Sequence, residues 1–260
     1  MTLDARDQRI PVFDRWFGTW NISVNRKAYP IHQLQRRYDA IAPGWDRKVS
    51  RLGFPSAYRS LVRRIMPDLQ QMGPAPGIKV LDCGAGSGAL SKAFAVEMKR
   101  PFDLSVVDIS PRMLTLAERA LQAEGVPCRL ELADIRTLPF RDEEFDLVMC
   151  AHTIEHLPDP ETALAEALRV LKPGGTLLLV LTRKSLFGAY VHLKWRTQQL
   201  SSSSVLEWLK NEGLTDAQNL RVGTGVWTRN LSRAIVGRKA SCGNSDLHEV
   251  AGPYHPIETV

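Results

Sequence analysis

The sequence predicts an α/β fold in which helices cover both faces of a doubly wound, mostly parallel sheet. Two observations support this prediction. From residue 78 onward, short apolar runs alternate with longer amphipathic patterns, as they do in repeated strand–helix–strand units. The apolar runs are nearly continuous, which is typical of parallel strands that are buried on both faces.

Five apolar runs predict the strands of this sheet in chain order. They are IKVLDC, FDLSVVDI, CRLELAD, FDLVMCA and GTLLLVLT. Helices are predicted between them, and the one after the second strand is well delimited, because Ser110 can cap it, Pro111 suits its first position and Gly125 follows its end. After a further helix that begins near the four serines 201–204, the run Leu231 to Lys239 predicts a late strand.

The chain divides into three predicted parts. The breaker-rich stretch MGPAPG precedes the first strand and marks the start of the main domain. We therefore predict an N-terminal region over residues 1–74, a main domain over 75–240 and an irregular tail over 241–260. The first 66 residues are expected to be mostly helical and irregular, with an amphipathic helix over Ala57 to Met66.

Composition favours a globular protein with a sizeable core, since 44% of the 260 residues are hydrophobic and 24% are charged. No apolar run approaches the roughly 18 residues of a membrane span, and the N-terminus lacks the apolar centre of a signal peptide. Cys83, Cys128, Cys150 and Cys242 form no C-x-x-C pair, which indicates buried thiols in a reducing compartment. We therefore expect a cytoplasmic protein.

Positive charge is concentrated at the N-terminus. Residues 1–66 carry 13 Lys/Arg against 5 Asp/Glu, a net charge of +8, whereas the rest of the chain carries 21 against 23, a net charge of −2. Aromatic residues are interleaved with these charges, so the region predicts peripheral contact with an anionic membrane surface, a nucleic acid or an acidic substrate. A solvated helical face with its aromatics packed on the main domain explains the same pattern.

The stretch KVLDCGAGSGALSKAF, residues 79–94, is the candidate ligand site. Its apolar run ends in an acid, and the turn Gly84 to Ala89 then satisfies G-x-G-x-x-G/A, the dinucleotide fingerprint. Glycines there allow backbone N–H groups to approach a ligand closely. Taken alone, the turn is compatible with either a nicotinamide dinucleotide or another nucleoside as the ligand.

Three aspartates at successive strand ends favour one of these ligands. Asp82 precedes the glycines, where a carboxylate suits a cationic ammonium group and repels a pyrophosphate. Asp108 ends the second predicted strand, where an acid can accept hydrogen bonds from ribose hydroxyls. Asp134 ends the third, where its carboxylate and the backbone of Ile135 suit the amino edge of adenine. Together they favour an adenosine that carries an amino-acid-like tail.

At this point the sequence resembles the class I S-adenosylmethionine-dependent methyltransferases, particularly their small-molecule branch. The resemblance covers about residues 36–240 and rests on four motifs in order, VLDCGAGSG, VVDIS, ADIRTLPFRDEEFDLVMCAHTIEHLPDP and LRVLKPGGTLLLV. It implies S-adenosylmethionine as cofactor and a Rossmann-like sheet of seven strands with the last antiparallel, plus an N-terminal helical lid. The segment RYDAIAPGWDR is similar to the lid signature of quinone-biosynthesis and phospholipid methyltransferases, with Trp45 where that family usually has Tyr.

The resemblance also implies the site residues. The catalytic candidates are His152, as a residue that lines the pocket near the methyl group, and His156, as a general base; in the resembled family a similar Glu-His pair at this turn is often structural. The implied cofactor-binding residues are Tyr38, Trp45, Asp82, Gly84, Ala85, Gly86, Gly88, Asp108, Ile109, Met113, Asp134, Ile135, Cys150 and Ala151. Two of them have an alternative interpretation, since Gly88 suits close helix–strand packing and Met113 suits a helical core position.

The segment HTIEH, His152 to His156, also matches H-x-x-E-H, a zinc-protease pattern. That pattern needs a helix that presents both histidines on one face, together with a third ligand. Here the segment directly follows a predicted strand and precedes LPDP, which is incompatible with a long helix. We therefore predict no metal site.

The expected acceptor is a small hydrophobic or aromatic molecule, such as a quinone, a lipid or a specialised metabolite. The lid and the stretch from Leu186 to Trp195 are both apolar and aromatic, and no N-P-P-[YF] motif follows the fourth strand, so we expect no nucleic-acid partner. Transfer would be an in-line displacement for which the enzyme supplies alignment and desolvation. Three alternatives stay open: a protein or nucleic-acid methyltransferase that binds through the basic N-terminal region, a cofactor-binding scaffold, and a nicotinamide oxidoreductase.

Overall fold

The computed structural model describes residues 9–27, 29–70, 77–183, 192, 195–223 and 231–241. Six helices are described, together with a short 3-10 helix at Ile154–His156. They are α1 (Ile31–Arg51), α2 (Phe54–Gln70), α3 (Ala89–Glu97), α4 (Pro111–Gln122), α5 (Pro160–Val170) and α6 (Ser202–Asn211). The strands of the described residues are β1 (Arg9–Phe17), β2 (Trp20–Lys27), β3 (Ile78–Cys83), β4 (Phe102–Asp108), β5 (Cys128–Leu132), β6 (Phe145–Ala151), β7 (Leu171–Thr182), β8 (Leu214–Arg221) and β9 (Ser232–Lys239).

Seven strands form one mixed sheet in the order β5-β4-β3-β6-β7-β9-β8. Five of these strands, β3 to β7, are parallel to one another, and β9 runs antiparallel to both of its neighbours, β7 and β8. The predicted α/β fold with an antiparallel last strand is therefore confirmed. The strand order reverses direction between β3 and β6, and such a switch point is where open α/β sheets bind ligands at the carboxyl ends of their strands.

The core lies on both faces of this sheet because successive strand residues point in opposite directions. On one face Val80 belongs to an apolar cluster with Phe94 of α3 and Leu61 of α2. On the other face Leu81 belongs to a cluster with Leu164 of α5 and Leu209 of α6. Burial on both faces explains why the runs that predict these strands are continuous rather than alternating.

Three strands differ from the sequence expectation. Residues 9–27 are not helical or irregular but form the antiparallel hairpin of β1 and β2. The signal is a pair of strand-like runs separated by only Gly18 and Thr19, and Gly18 has the positive φ of +61° that a two-residue hairpin turn requires. The resemblance implies a seventh strand, but no apolar run predicts where it lies, because β8 is an edge strand with only sparse buried residues.

The predicted helical lid corresponds to α1 and α2, and the amphipathic helix predicted over 57–66 lies within α2. Helix α1 contains Pro43, which cannot donate a hydrogen bond to the carbonyl of Asp39. That carbonyl instead accepts a hydrogen bond from Nη1 of Arg112 at 3.1 Å, and the Asp39 carboxylate accepts one from Oγ of Ser110 at 2.6 Å. Helix α1 is thereby fastened to the start of α4, where Ser110 also caps the helix.

The predicted division at residues 74 and 240 stays a prediction, because 71–76 and 242–260 lie outside the described residues. Within the described part of the chain, no helix has both the length and the apolar character needed to cross a bilayer.

Two glycines with similar backbone angles provide a stability test of the packing between α3 and α4. A Cβ at Gly88 (φ +76°) would lie 3.0 Å from the Ala117 Cα, whereas a Cβ at Gly125 (φ +69°) would meet no atom within 4 Å. We expect Gly125→Ala to lower the free energy of unfolding by about 1–2 kcal/mol through backbone strain alone. Gly88→Ala should cost about 1–3 kcal/mol more, because the methyl group also presses on the α4 backbone. Guanidinium unfolding measures both, and equal losses would contradict this account of Gly88.

Candidate cofactor and acceptor site

A cavity of about 490 Å³ lies at the carboxyl ends of the central strands, and α1 contributes one of its walls. All but three of the predicted site residues line it. Those in the lining are Tyr38, Trp45, Asp82, Gly84, Ala85, Gly86, Asp108, Ile109, Asp134, Ile135, Ala151, His152 and His156. The structure therefore brings together side chains that are more than 100 positions apart in the sequence.

The glycine turn is held against the end of β4. The N–H groups of Gly84 and Ala85 donate to the carbonyl of Val107 at 2.7 and 3.1 Å. Gly84 and Gly86 have positive φ values of +67° and +55°, and a Cβ at Gly84 would lie only 2.2 Å from the Thr153 Cγ2. Glycine is thus required both by the backbone conformation and by the close approach of Thr153.

Asp108 connects this turn to the second strand of the parallel core. Its carboxylate accepts hydrogen bonds from the N–H of Gly86 at 2.8 Å and from the N–H of Ser110 at 2.9 Å. Burial raises the pKa of this carboxyl, while hydrogen bonds from the backbone of Ser110, Gly86 and Ile109 lower it. The carboxylate is part of the cavity lining, where the sequence predicts a contact with ribose.

Asp82 has one satisfied and one unsatisfied carboxylate oxygen. Oδ2 accepts a hydrogen bond from Oγ of Ser91 at 2.5 Å, whereas Oδ1 is buried and has no hydrogen-bond partner among the described residues. Burial raises the pKa of the Asp82 carboxyl to about 7 against hydrogen bonds from Ser91, and the charge of Asp108 adds to the rise. A buried carboxylate oxygen without a donor, in the lining of a cavity, fits the ammonium group of the amino-acid tail that the sequence predicts.

Asp134 has a partner that the sequence analysis did not identify. Nη2 of Arg136 lies 2.7 Å from its Oδ2, and the Arg136 N–H donates to its Oδ1 at 3.0 Å. The same guanidinium reaches Asp159 at 3.2 Å. Arg136 thus orients the carboxylate at this end of the cavity, and the contact of Asp134 with adenine stays a prediction.

Three predicted cofactor residues lie outside the cavity lining. Gly88 precedes α3 and packs against Ala117 of α4, and Met113 is fully buried in α4. Cys150 belongs to the apolar cluster beneath β6, and burial raises the pKa of its thiol to about 12. Each of the three thus has a packing role in the structure, and their cofactor contacts stay predictions.

An aromatic wall stands on the α1 side of the cavity. Tyr38 stacks on Trp195 with ring centroids 6.1 Å apart and an interplanar angle of 11°. Trp45 meets both rings edge-on, at 6.1 Å from Tyr38 and 5.6 Å from Trp195. The Nε1 atom of Trp45 would lie 3.6 Å from a Cβ at Gly86, so this wall stands next to the glycine turn.

A hydrogen bond joins the aromatic wall to the end of β6. Oη of Tyr38 lies 2.8 Å from Nε2 of His156. Burial lowers the pKa of His156 to about 4 although the charge of Glu155 opposes the shift, and burial together with Asp108 and Glu155 raises the pKa of Tyr38. Both partners are therefore neutral near pH 7, and the bond does not depend on pH in that range.

His152 combines an unusual backbone with a fully paired ring. Its φ is +54°, in the left-handed region that histidine adopts more often than most residues and that is frequent at functional sites. Nδ1 lies 3.0 Å from Oγ1 of Thr182, and Nε2 lies 3.2 Å from Oγ of Ser232. The following 3-10 helix has only three residues, so HTIEH lacks the long helix of the zinc motif, as predicted.

Several lining residues were missed by the sequence analysis. They are Phe54, Tyr58, Thr153, Glu155, Thr182 and Ser232. The last two are paired neighbours in the antiparallel ladder of β7 and β9, and no local sequence pattern shows that pairing. Of the predicted excursion over 186–195, residues 186–191 and 193–194 lie outside the described residues, whereas Trp195 lines the cavity.

The strand order, the glycine turn at the switch point and the acids on both sides of it define the class I methyltransferase architecture. A family model described as a methyltransferase domain matches residues 81–179. Ubiquinone/menaquinone biosynthesis C-methyltransferase UbiE from Neisseria meningitidis serogroup C is 41% identical over 117 residues, which are 44% of this chain and 48% of that protein. The protein of the same name from Burkholderia orbicola is 30% identical over 209 residues, which are 79% of each chain.

The chain belongs to the family of class I S-adenosylmethionine-dependent methyltransferases of small molecules, and S-adenosylmethionine is the methyl donor. Solved structures share its fold. Magnesium protoporphyrin IX methyltransferase ChlM from Synechocystis PCC 6803, with bound SAH, has a TM-score of 0.62 at 19% identity and covers 81% of this chain and 99% of its own. The [4+2]-cyclase SpnF has a TM-score of 0.60 at 18% identity and covers 82% and 97%. These two neighbours have different described activities, so they support the fold alone.

The unsatisfied oxygen of Asp82 predicts a pH-dependent affinity for S-adenosylhomocysteine, the demethylated form of the donor. Its ammonium group favours the ionised carboxylate, whereas the free protein protonates Asp82 below a pKa of about 7. We therefore expect the affinity to fall as pH drops below about 7, approaching about tenfold per pH unit. Calorimetric titration between about pH 7.5 and about pH 5.5 measures this.

Two variants test the assignment. Asp82→Asn should weaken binding by about tenfold or more and remove most of the pH dependence, because the charge-assisted contact is lost. Asp103→Asn, which changes an exposed carboxylate on β4, should leave both unchanged. A pH dependence that persists in Asp82→Asn would contradict the assignment.

Proposed function

We propose that this enzyme methylates a small hydrophobic acceptor that contains an aromatic or quinone-like ring. One observation carries the proposal: a single cavity has buried acids around the glycine turn and an aromatic wall of Tyr38, Trp45 and Trp195 beside it. The acids suit the amino-acid tail and ribose of the donor, whereas aromatic rings bind flat apolar molecules by stacking and burial. The names of the two UbiE relatives, which describe C-methyltransferases of quinone biosynthesis, support the same acceptor class.

Different residues of the cavity would bind the methyl donor and the acceptor. When bound, S-adenosylmethionine supplies a methyl group on a sulfonium, which is already an excellent leaving group. Asp82 would hold the ammonium group, Asp108 the ribose, and Asp134 with Ile135 the adenine edge. Tyr38 and Trp45 would exclude water beside the glycine turn and align the acceptor, which is the main catalytic contribution that in-line transfer requires.

A macromolecular acceptor is not favoured. The cavity is partly closed by α1, and its wall is built of side chains that contact one another, Tyr38, Trp45 and Trp195. A segment of protein or nucleic acid would need these contacts to separate before it reached the glycine turn. A small ring needs only the volume that the cavity already has.

The proposal predicts methyl transfer that depends on the aromatic wall. Purified protein is incubated with methyl-labelled S-adenosylmethionine and either a reduced naphthoquinone, a simple phenol, bulk tRNA or a peptide mixture. We expect label in the hydroquinone or the phenol only. Trp195→Ala should lower kcat/KM for the acceptor by about tenfold or more, because it removes one stacked face of the wall.

Trp20→Ala, which changes a tryptophan on β2 that is 77% exposed, should leave this activity unchanged. Binding of S-adenosylhomocysteine without transfer to any acceptor would contradict the proposal and favour a role like that of a fold neighbour that is not described as a methyltransferase. Transfer to tRNA or peptide alone would favour the macromolecular alternative.

We further propose that the protein is cytoplasmic and that α1 contacts anionic membranes. Arg36, Arg47, Lys48 and Arg51 are exposed on α1, and no carboxylate pairs with them among the described residues. Exposed Leu52 lies beside them and lines the cavity. Unpaired cations next to an exposed apolar side chain are typical of segments that bind the surface of an anionic bilayer.

Flotation with lipid vesicles tests this contact. We expect binding to vesicles that contain phosphatidylglycerol, none to pure phosphatidylcholine, and a decrease with salt. The double variant Arg36→Gln/Arg47→Gln should bind about 10- to 30-fold more weakly, at about 1 kcal/mol per charge. Arg59→Gln/Arg63→Gln removes two cations that pair with Glu97 and should have little effect. Equal losses in the two double variants would contradict a specific role of α1.

A further inference from the structure

A chain of hydrogen-bonding groups runs along one side of the cavity from β9 to the 3-10 helix. Oγ of Ser232 lies 3.2 Å from Nε2 of His152, and Nδ1 of His152 lies 3.0 Å from Oγ1 of Thr182. Oγ1 of Thr182 in turn lies 3.2 Å from Oε2 of Glu155. All four residues belong to the cavity lining, and Glu155 is almost completely buried.

The Glu155 carboxylate determines which group donates and which accepts in each of these hydrogen bonds. Burial raises the pKa of Glu155, but the hydrogen bond of His152, the charges that His152 and His192 carry when protonated, and the Thr182 N–H lower it below its ordinary value. When His152 is neutral, the Thr182 N–H at 2.6 Å from Oε1 and the Thr182 hydroxyl at 3.2 Å from Oε2 still stabilise the ionised carboxylate. An ionised carboxylate only accepts hydrogen bonds, so the single hydroxyl proton of Thr182 points to Glu155. The Thr182 oxygen then accepts from Nδ1–H of His152, and Nε2 is left without a proton.

We propose that His152 is the general base of the transfer reaction and takes a proton at Nε2 from a hydroxyl group of the acceptor, with Thr182 and Glu155 as positioning residues. The inference rests on the proposed function and narrows its acceptor class to molecules that carry a hydroxyl on or beside the atom to be methylated. Phenols and hydroquinones have this chemistry. In the absence of the acceptor, Nε2 accepts a hydrogen bond from the Ser232 hydroxyl. The acceptor hydroxyl would take the place of this donor.

The proton balance is complete within this arrangement. The O–H bond of the acceptor breaks, its proton forms a bond to Nε2, and the electron pair stays on the acceptor and makes it nucleophilic. The imidazolium that results is stabilised by the Glu155 carboxylate, whose Oε2 lies 3.6 Å from Nδ1. After transfer the proton leaves to solvent, and the net products are the methylated acceptor, S-adenosylhomocysteine and one proton.

The tautomer of His152 gives a test that needs no acceptor. In ¹⁵N-histidine spectra of the protein with S-adenosylhomocysteine, we expect His152 to carry its proton on Nδ1. In the wild type the Thr182 N–H donates to Oε1 of Glu155 at 2.6 Å. The Glu155→Gln side chain keeps an oxygen that can accept this N–H, but the amide nitrogen that replaces the other oxygen cannot accept the hydroxyl proton of Thr182. That proton should then turn to Nδ1 and move the ring proton to Nε2. A wild-type ring protonated on Nε2 would overturn the proposal.

Acceptors of graded acidity test the catalytic role. 1-Naphthol must lose its proton on the enzyme, whereas 2,4-dinitro-1-naphthol is already ionised near neutral pH. His152→Gln should lower kcat for 1-naphthol by about 10²- to 10⁴-fold, the usual contribution of a general base, and affect the dinitro compound by less than about tenfold. Glu155→Gln and Thr182→Val should follow the same pattern with unchanged affinity for S-adenosylhomocysteine.

The controls separate this proposal from the proposed function. His32→Gln, which changes an exposed histidine on α1 outside the cavity lining, should match the wild type. Equal losses for both naphthols in His152→Gln would mean a structural role and overturn the inference while leaving the proposed function intact. A wild-type enzyme that binds S-adenosylhomocysteine but methylates neither naphthol would count against the proposed hydroxyl acceptor. The ¹⁵N-histidine spectrum of His152 would still test the proposed hydrogen bonds among His152, Thr182 and Glu155.

Discussion

The carboxylate of Asp108 holds the site together, because two N–H groups from different loops donate to it. One comes from Gly86 in the glycine turn and the other from Ser110 at the start of α4. Ser110 in turn caps α4 and donates to Asp39 of α1. The glycine turn, strand β4 and the α1 wall of the cavity are therefore all connected through the Asp108 carboxylate. A single strand-end acid thus links the glycine turn to the α1 wall of the cavity.

Burial of two carboxylates around the same turn has an electrostatic consequence. The charge of Asp108 raises the pKa of Asp82, and burial disfavours the charged form of both carboxylates. The ammonium group that we propose for the donor at Asp82 would relieve both effects. The oxygens that Ser91, Gly86 and Ser110 satisfy keep the two carboxylates in position until then.

The sequence predicts that the strand-end acids meet in one cavity, because they follow consecutive parallel strands whose carboxyl ends lie at one edge of the sheet. The common location of Asp82, Asp108 and Asp134 can be predicted from the sequence for this reason. Thr182 and Ser232 are not, because they meet only through the antiparallel pairing of β7 with β9, and nothing local in either strand specifies that register. Glu155 stands inside a pattern that resembles a metal site, so its role as a buried hydrogen-bond acceptor becomes visible only from the partners that the fold gives it.

The two halves of the cavity have separate origins in the chain. The proposed donor contacts of the acids lie at the glycine turn and at the strand ends from β3 to β5, whereas the rest of the lining comes from α1 and α2, from the end of β6 and the 3-10 helix, from Trp195 and from the ends of β7 and β9. Under the proposed function, substitutions in the walls formed by Trp195 and the ends of β7 and β9 would change which molecule is modified without altering the strand-end acids. Within one lineage, such an arrangement allows the acceptor range to diverge quickly while the donor chemistry is inherited unchanged.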